Sequence, residues 1–178
     1  MQRLVVLCVL FISFFAPSVL AQSNSLDQYR LGSGDVVKIT VYGQEDLSLE
    51  TRLSDVGIIN YPYLGEIKLI GQTLPELESY IYEGLKGDYL VEPSVSVSIT
   101  DYRPFFINGE VKKPGGYPYQ PGLTIDKAAA LAGGYTERAS KTKIFIVRDT
   151  DGSSTTISVD RSGIVLPGDI VTIEQSFF

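Results

Sequence analysis

Residues 107–134 constrain the fold more than any other part of the chain, because turn-forming and helix-capping residues are closely spaced within them. Residues 113–116 read Lys-Pro-Gly-Gly, and a Pro-Gly pair favours a turn because Pro fixes φ while Gly accepts positive φ. We therefore expect an apolar strand that ends near Ile107 to turn here and return through Tyr117 and Tyr119. The side chains of these two tyrosines would share one face of an extended segment.

A short helix is predicted after this hairpin. A Pro-Gly pair at residues 121–122 is a second turn signal, and it places Thr124 at a helix N-cap. The Ala-rich residues 125–132 then form the helix, and Gly133 and Gly134 end it in the manner of a C′ glycine. The segment as a whole predicts strand, turn, strand and short helix.

This order of motifs resembles the soluble-ligand-binding β-grasp (SLBB) repeat of the polysaccharide export family, in which a GEVxxPGxY segment precedes a helix ending in AGG. The matching residues are Gly109, Glu110, Val111, Pro114, Gly115, Tyr117, Ala132, Gly133 and Gly134. The resemblance implies a β-grasp domain here and a structural role for these motif residues.

A second motif lies near the start of the predicted mature chain. Gly32 and Gly34 permit a tight turn, Asp35 can accept hydrogen bonds from nearby backbone amides, and the β-branched residues 36–41 predict a strand. A phosphate-binding loop is the weaker alternative, because no helix N-terminus follows these glycines. Residues 29–35 are similar to the YxLGxGD opening of the polysaccharide export domain, where the motif is structural.

A Gly-Asp turn recurs at Gly168 and Asp169, ahead of the predicted last strand at residues 170–173. The echo of Gly34 and Asp35 predicts similar turn chemistry at the start of both strands.

Between these turns the sequence predicts short extended pieces at residues 49–53, 57–61 and 65–70. In the resembling family this region reads V-x-x-D-G-x-I-x-x-P-x-x-G, and the chain keeps Ile59, Pro62 and Gly65. The family pattern therefore assigns Pro62 and Gly65 to a structural turn.

The clearest helix signal begins at Thr73, which forms a capping box with Glu76. Leucine and isoleucine then recur at helical spacing along residues 74–85. The carboxylates Glu76, Glu78 and Glu83 lie off this apolar stripe, so we expect a solvated face rather than an acid–base pair.

Residues 94–100 alternate strictly between Ser or Thr and an aliphatic residue, which predicts a strand with one buried and one wet face. The polar face is a candidate lining for an aqueous lumen, although an ordinary wet sheet face gives the same pattern. We place a domain boundary after residue 101. Two further strands are expected at residues 143–148 and 155–159, joined by a hairpin turn.

Residues 1–21 predict a secretory signal peptide, with one early cation, an apolar run and small residues before a cleavage site between Ala21 and Gln22. A retained membrane anchor is the alternative, but the apolar run is shorter than a spanning helix needs. Cys8 lies inside this run and follows Leu7, where a lipidation signal would have a small residue. We expect no lipid anchor and a periplasmic, outer-membrane-associated protein.

Composition excludes several classes of function. The chain has no histidine, and its one cysteine lies in the predicted signal peptide, so zinc sites built on these ligands and Ser-His-Asp or Cys-His catalysis are excluded. The formal net charge is −6, and removal of Arg3 with the signal peptide lowers it to −7, which disfavours a nucleic-acid partner. We expect no enzyme, cofactor or metal.

Together the two motif sets predict an α+β protein. The expected order is a signal peptide (1–21), a flexible lead-in (22–28), an export domain with a mixed sheet and one capped helix (29–101), and an SLBB β-grasp domain with a C-terminal tail (102–178). No transmembrane helix is expected in the mature chain.

The resemblance implies a homo-oligomeric periplasmic ring in the conduit that exports capsular polysaccharide or exopolysaccharide, which is the transported cargo. An inner-membrane polysaccharide copolymerase is the implied partner. Full-length family members add a second β-grasp domain and a C-terminal amphipathic helix, whereas this sequence ends at Phe178. A separate outer-membrane β-barrel is therefore expected, with Phe177 and Phe178 as a candidate docking tip or a tail folded on its own domain.

The rival hypothesis is a stand-alone periplasmic module that binds or senses carbohydrate and forms no pore. Sugar sites use aromatic platforms with polar neighbours, and tyrosine is also common at subunit interfaces. The candidate glycan or subunit contacts are Tyr102, Arg103, Tyr117 and Tyr119.

Overall fold

The computed structural model describes residues 29–150 and 153–176. The predicted signal peptide, the lead-in, the tip of the predicted hairpin at residues 151–152 and the Phe177-Phe178 tail lie outside the described residues. The first half contains β1 Val36–Val41, β2 Leu49–Arg52, β3 Ile58–Tyr61, β4 Gly65–Lys68, α1 Leu74–Leu85 and β5 Val95–Asp101. The second half contains β6 Phe105–Gly109, β7 Gly115–Tyr117, α2 Ile125–Leu131, β8 Ala139–Thr150, β9 Ser153–Val159 and β10 Ile170–Gln175.

The first half is built on a three-stranded antiparallel sheet in the order β2-β1-β5. The β3–β4 hairpin and α1 complete this half, and their apolar side chains bury a core with those of β1. In β5 the predicted alternation is confirmed, because Val97 is buried while Ser98 and Thr100 are exposed.

Helix α1 begins as predicted. The Thr73 amide donates to Glu76 Oε2 (2.8 Å), the Glu76 amide donates to Thr73 Oγ1 (3.4 Å), and the capping box is complete. One carboxylate differs from the expected solvated face, because Glu78 Oε2 accepts from the Val97 amide (3.2 Å). Glu78 thereby satisfies the Val97 amide on the outer edge of β5, which would otherwise donate its hydrogen bond to water or to another strand.

The second half is a five-stranded sheet in the order β7-β6-β10-β8-β9. Strand β10 is central, parallel to β6 and antiparallel to β8. Helix α2 buries Ile125, Ala128 and Ala129 in the core of this half. Its N-cap at Thr124 and the positive φ of the two glycines that follow it are as predicted.

The hairpin that opens this half turns earlier than the sequence predicted. Ile107 pairs with Gly115, so the connection spans residues 110–114, and the glycines expected in the turn lie in β7. The strand ends at Gly109, which has φ 81°, and not at the Pro-Gly pair.

The predicted α+β class is confirmed. A mixed sheet was predicted for the export domain, but the strand pairs of the first half are antiparallel. The parallel pair, β6 with β10, lies in the second half, and the mixed sheet is there. Neither of the described helices, α1 with 12 residues and α2 with 7, is long and apolar enough to cross a bilayer.

Gly109 lets β6 approach β10 closely, and we predict that it cannot be replaced. An alanine Cβ at this position would lie 2.1 Å from the Ile173 carbonyl oxygen, which belongs to backbone in the sheet centre. Gly109→Ala therefore adds an overlap to the left-handed strain and is expected to lower the free energy of unfolding by at least about 3 kcal/mol in urea titrations.

Gly122→Ala is the matched control. Gly122 has a similar φ of 76°, but a Cβ there meets nothing within 4 Å. Gly122→Ala should lower the free energy of unfolding by about 1 kcal/mol, because only backbone strain is added. Equal losses for the two variants would contradict the close-approach explanation.

Candidate functional site

Two buried aspartates mark the place where the two halves of the chain meet. Asp35 and Asp169 are the charged residues that are fully buried among residues 29–150 and 153–176. Each follows a glycine with positive φ, Gly34 at 94° and Gly168 at 84°. The predicted echo of the two Gly-Asp turns is therefore present in the structure, at the starts of β1 and β10.

The Asp35 carboxylate is saturated with donors. Its Oδ2 accepts from the Tyr29 hydroxyl (2.7 Å) and from the Gly32 amide (2.8 Å), and its Oδ1 accepts from the Arg103 amide (2.8 Å). The Arg103 guanidinium adds a charge contact, with Nη1 3.6 Å from Oδ2. Three hydrogen bonds and a cation offset the desolvation of a buried carboxylate, which costs several kcal/mol when it is unpaired.

Asp169 repeats this arrangement in the second half. Its Oδ2 accepts from the Leu166 amide (2.7 Å), as Asp35 accepts from the Gly32 amide three residues before it. Arg148 binds both carboxylate oxygens, with Nε 2.9 Å from Oδ1 and Nη2 2.7 Å from Oδ2. This bidentate contact raises the pKa of the Arg148 guanidinium.

Arg103 lies between the two turns. Its Nε donates to the Pro167 carbonyl in the second turn (3.2 Å), while Nη1 faces Asp35 in the first. A Cβ added at Gly32 would lie 1.3 Å from Arg103 Nη1, and a Cβ added at Gly168 would lie 2.5 Å from Arg103 Nε. Glycine at both positions makes the space that the guanidinium fills.

A line of three tyrosines follows the same junction. Tyr102 packs edge to face against Tyr29 in the first half (centroids 5.6 Å apart) and against Tyr119 in the second (5.2 Å). Burial, and after it the charge of Asp35, raises the pKa of the Tyr29 hydroxyl far above its usual value. The Tyr29 hydroxyl therefore stays a proton donor to Asp35 at any physiological pH.

The two turns form the walls of an open cleft of about 990 Å³. Three guanidinium groups line it, those of Arg30, Arg103 and Arg148. Each contacts an acceptor within the protein, and Arg30 Nη1 lies 2.6 Å from the Gly71 carbonyl oxygen and 3.3 Å from Glu76 Oε2. The cleft is therefore a charge-balanced junction.

The structure brings three of the four predicted contact residues together. Tyr102, Arg103 and Tyr119 lie at the junction, with Tyr119 buried in the second core and Tyr102 half-buried between two rings. Tyr117 lies apart on β7, packs 6.1 Å from the Phe105 ring and donates its hydroxyl to the Lys113 carbonyl (2.7 Å). The geometry gives these rings a packing role, and their glycan or subunit contacts remain predictions.

The other predicted motif residues lie in turns and caps. Glu110 accepts from the Thr136 hydroxyl, and its amide donates to the Ile173 carbonyl (2.8 Å). The amides of Gly133 and Gly134 donate to the carbonyls of Ala130 and Ala129 at the end of α2. Pro114 is exposed in the connection before β7, and Gly115 begins that strand. Pro62 lies in the β3–β4 turn, and Gly65 is the first residue of β4.

The sequence did not identify Tyr29 and Arg148 as partners of the buried aspartates. The Tyr of the YxLGxGD pattern was the available signal for Tyr29, because a hydroxyl six residues before a buried carboxylate can reach it. Arg148 lies 21 residues from Asp169 on a neighbouring strand, and only the pairing of β8 with β10 brings it close.

The described residues contain no group of three or more acidic, histidine or cysteine side chains that could hold a metal ion. The two buried carboxylates accept from donors that hold them in place. This arrangement can orient two domains, and it offers no group positioned for proton transfer to a substrate.

Two family models match the chain in series. A model described as polysaccharide biosynthesis/export protein matches residues 23–100, and a model of the SLBB domain matches residues 104–158. These families are transport and binding proteins and not enzymes, which confirms the expected non-enzymatic class.

Proteins similar to this chain are named for exopolysaccharide production or polysaccharide export. The chain is 34% identical over 122 residues to the exopolysaccharide production protein ExoF of Rhizobium meliloti (strain 1021), a match that covers 61% of this chain and 28% of ExoF. It is 28% identical over 183 residues to the EPS I polysaccharide export outer membrane protein EpsA of Ralstonia nicotianae (strain ATCC BAA-1114 / GMI1000), covering 83% of this chain and 47% of that protein. The EpsA protein of Ralstonia solanacearum is 26% identical over 161 residues, with 76% and 39% covered. The chain thus spans less than half the length of these relatives.

The contact between Arg103 and Gly32 predicts an energetic coupling that a double-mutant cycle can measure. In the wild-type background, Gly32→Ala displaces the guanidinium and should lower the free energy of unfolding by about 1–3 kcal/mol. In an Arg103→Ala background the three atoms nearest the new methyl group are gone, so the same substitution should cost less than about 0.5 kcal/mol.

Gly34→Ala is the control for this cycle. Gly34 has φ 94° and faces Arg103 Cβ, which an alanine at position 103 retains, so its cost should be similar in both backgrounds. A Gly32→Ala cost that is the same with and without the Arg103 guanidinium would show that Arg103 does not fill this space.

Proposed function

This chain belongs to the polysaccharide biosynthesis/export family, and we propose that its copies assemble into a periplasmic ring within the conduit that carries capsular polysaccharide or exopolysaccharide across the outer membrane. The observation that carries this proposal is the order of the two domains. An export domain is followed within four residues by an SLBB domain, and a junction of buried charges connects them.

The predicted compartment supports this placement. An exported chain reaches the periplasm through its signal peptide, and the predicted peptide occupies residues 1–21. A relative named as an outer membrane polysaccharide export protein aligns with 83% of the chain. We therefore propose a periplasmic protein associated with the outer membrane.

The physical demands of passage favour a wide polar channel, because a hydrated polymer needs no chemical step to move. The outer face of the β2-β1-β5 sheet carries Lys38, Ser98 and Thr100, and the Thr100 hydroxyl donates to Glu50 Oε1 across the strands (2.9 Å). A face of small hydroxyls and charges is well hydrated. We propose it as a candidate lumen lining in the assembled ring.

Exposed strand edges support assembly. Strand β9 is the last strand of its sheet, and its six exposed residues Ser153–Ser158 are mostly serine and threonine. Head-to-tail contacts between different edges of identical subunits generate closed rings when the rotation closes. Edge strands are natural positions for such contacts because an edge strand pairs within its own sheet on one side.

The partner of this ring follows from the direction of transport. Polymer made at the inner membrane must be delivered to the periplasmic end of the conduit. An inner-membrane polysaccharide copolymerase is the partner we propose there. The stand-alone carbohydrate-binding module is less well supported, because two of its three proposed platform rings, Tyr102 and Tyr119, pack against each other.

Deletion of the gene tests the proposal, in a host strain that lacks a second homologous copy. We expect long-chain polysaccharide to disappear from the cell surface while polymer accumulates in the periplasm, because synthesis continues when exit is blocked. Extraction and quantification of the surface and periplasmic polymer separately measure this. A plasmid copy of the wild-type chain should restore surface polymer.

Two results would contradict the proposed export function. Surface polysaccharide that is unchanged in amount and length after deletion would contradict an export function. Loss of polymer from both fractions would point to synthesis and would also contradict the conduit.

A further inference from the structure

The β3–β4 turn presents a tyrosine in a conformation that tyrosine disfavours. Tyr63 has φ 66°, the one positive φ of a non-glycine residue in the described part of the chain. Pro62 precedes it, and the Leu64 amide donates to the Tyr61 carbonyl (3.2 Å). These are features of a type II turn, whose third position favours Gly or Asn.

The Tyr63 ring is held outside the core. It is 65% exposed and stacks on the Tyr89 ring, which is 47% exposed, with centroids 4.6 Å apart and planes inclined by 27°. Tyr89 follows α1 in a tight loop that is fixed by bonds from the Tyr89 and Leu90 amides to the Leu85 carbonyl (3.3 and 2.9 Å). The pair is therefore a presented aromatic surface on a fixed support.

Stability does not explain this tyrosine. A left-handed conformation costs a non-glycine residue about 1–2 kcal/mol, and a stacked aromatic pair contributes about 0.5–1.5 kcal/mol. The two effects are of similar size and opposite sign, so the stacking gives tyrosine little net advantage over glycine at position 63. A ring kept at a strained, exposed position points to a function for the ring.

A shallow groove along the outer face of α1 adjoins this pair. Leu64, the residue after Tyr63, covers Gly84 at one end of it, and a Cβ at Gly84 would lie 2.8 Å from the Leu64 side chain. The groove has a volume of about 480 Å³, within the range of small-ligand sites. Its remaining lining residues are Glu76, Ser79, Tyr80 and Glu83.

The chemistry of the groove selects one kind of occupant. Carboxylates and hydroxyls accept and donate hydrogen bonds to sugar hydroxyls, and an exposed phenol ring packs against the C–H face of a pyranose. No Lys or Arg is among the described residues that line the groove, although Arg30 pairs with Glu76 beside it (3.3 Å). An acidic sugar would therefore meet like charge chiefly at Glu83.

We propose that the Tyr63–Tyr89 pair and the adjoining α1 groove bind a neutral hexose segment of a polysaccharide. The proposal rests on the export function proposed above, because the exported polymer is the saccharide that the chain would encounter. The contact has few polar groups and an open face, which suits weak binding to a polymer that must move on.

Native-gel affinity electrophoresis tests this with the full mature chain. The probes are two neutral polysaccharides, hydroxyethylcellulose and galactomannan, and one acidic polysaccharide, polygalacturonate, each cast into the gel at increasing concentration. We expect at least one neutral polymer to retard the wild type and polygalacturonate to have no effect.

Three variants separate the ring from the fold. Tyr63→Gly should bind the neutral polymer about three- to tenfold more weakly, the range that one aromatic contact contributes, while its melting temperature stays equal or rises. Tyr63→Phe keeps the ring and should bind like the wild type. Tyr42→Ser removes an equally exposed tyrosine, at 65%, which belongs neither to the stacked pair nor to the groove lining, and should also bind like the wild type.

Three results would overturn the proposal. They are no retardation of the wild type by either neutral polymer, retardation by polygalacturonate alone, and equal retardation of Tyr63→Gly and wild type. A change in oligomer size on Tyr63→Gly, measured by light scattering, would assign the pair to a subunit contact instead. The assay contains no membrane or partner, so its outcome is distinct from that of the gene deletion, which tests export.

Discussion

A buried carboxylate at the start of a strand organises each half of this protein. Asp35 and Asp169 each accept from a backbone amide three residues earlier, and each is neutralised by arginine. The partner of Asp169 comes from the same half, whereas both the amide and the guanidinium of Arg103 reach Asp35 from the other side of the domain boundary. Removing the Arg103 guanidinium would leave the buried Asp35 charge with its hydrogen bonds but without a cation, which is destabilising. The relation between the two halves therefore depends on Arg103.

Tyrosine has two different roles in this structure, one at the junction between the halves and one on the exposed aromatic surface. At the junction, Tyr29, Tyr102 and Tyr119 pack edge to face and connect the two cores. At the β3–β4 turn, Tyr63 stacks where no core needs it. The proposed conduit subunit would use both properties: domains held in a fixed relation around a lumen, and an exposed aromatic surface that contacts passing sugar.

Local features were predictable from the sequence, because each depends on residues close together in the chain. The capping box at Thr73, the N-cap at Thr124 and the two Gly-Asp turns have this character. Contacts between distant segments were not predictable. The parallel pairing of β10 with β6 moved the hairpin turn to Gly109, and the pairing of β8 with β10 brought Arg148 to Asp169. The proline before Tyr63 signalled a turn, but only the positive φ reveals that its tyrosine is strained.

Native-state amide hydrogen exchange in increasing urea measures directly whether this junction makes the two halves one unit. The probes are core amides of β1 in the first half and of β10 in the second, and each of these strands directly follows a buried aspartate. If Arg103 couples the halves, amides on both strands exchange through the same global opening, with equal opening free energies and equal urea dependence. Separate opening energies for β1 and β10 in the wild-type protein would contradict a junction that joins the two domains.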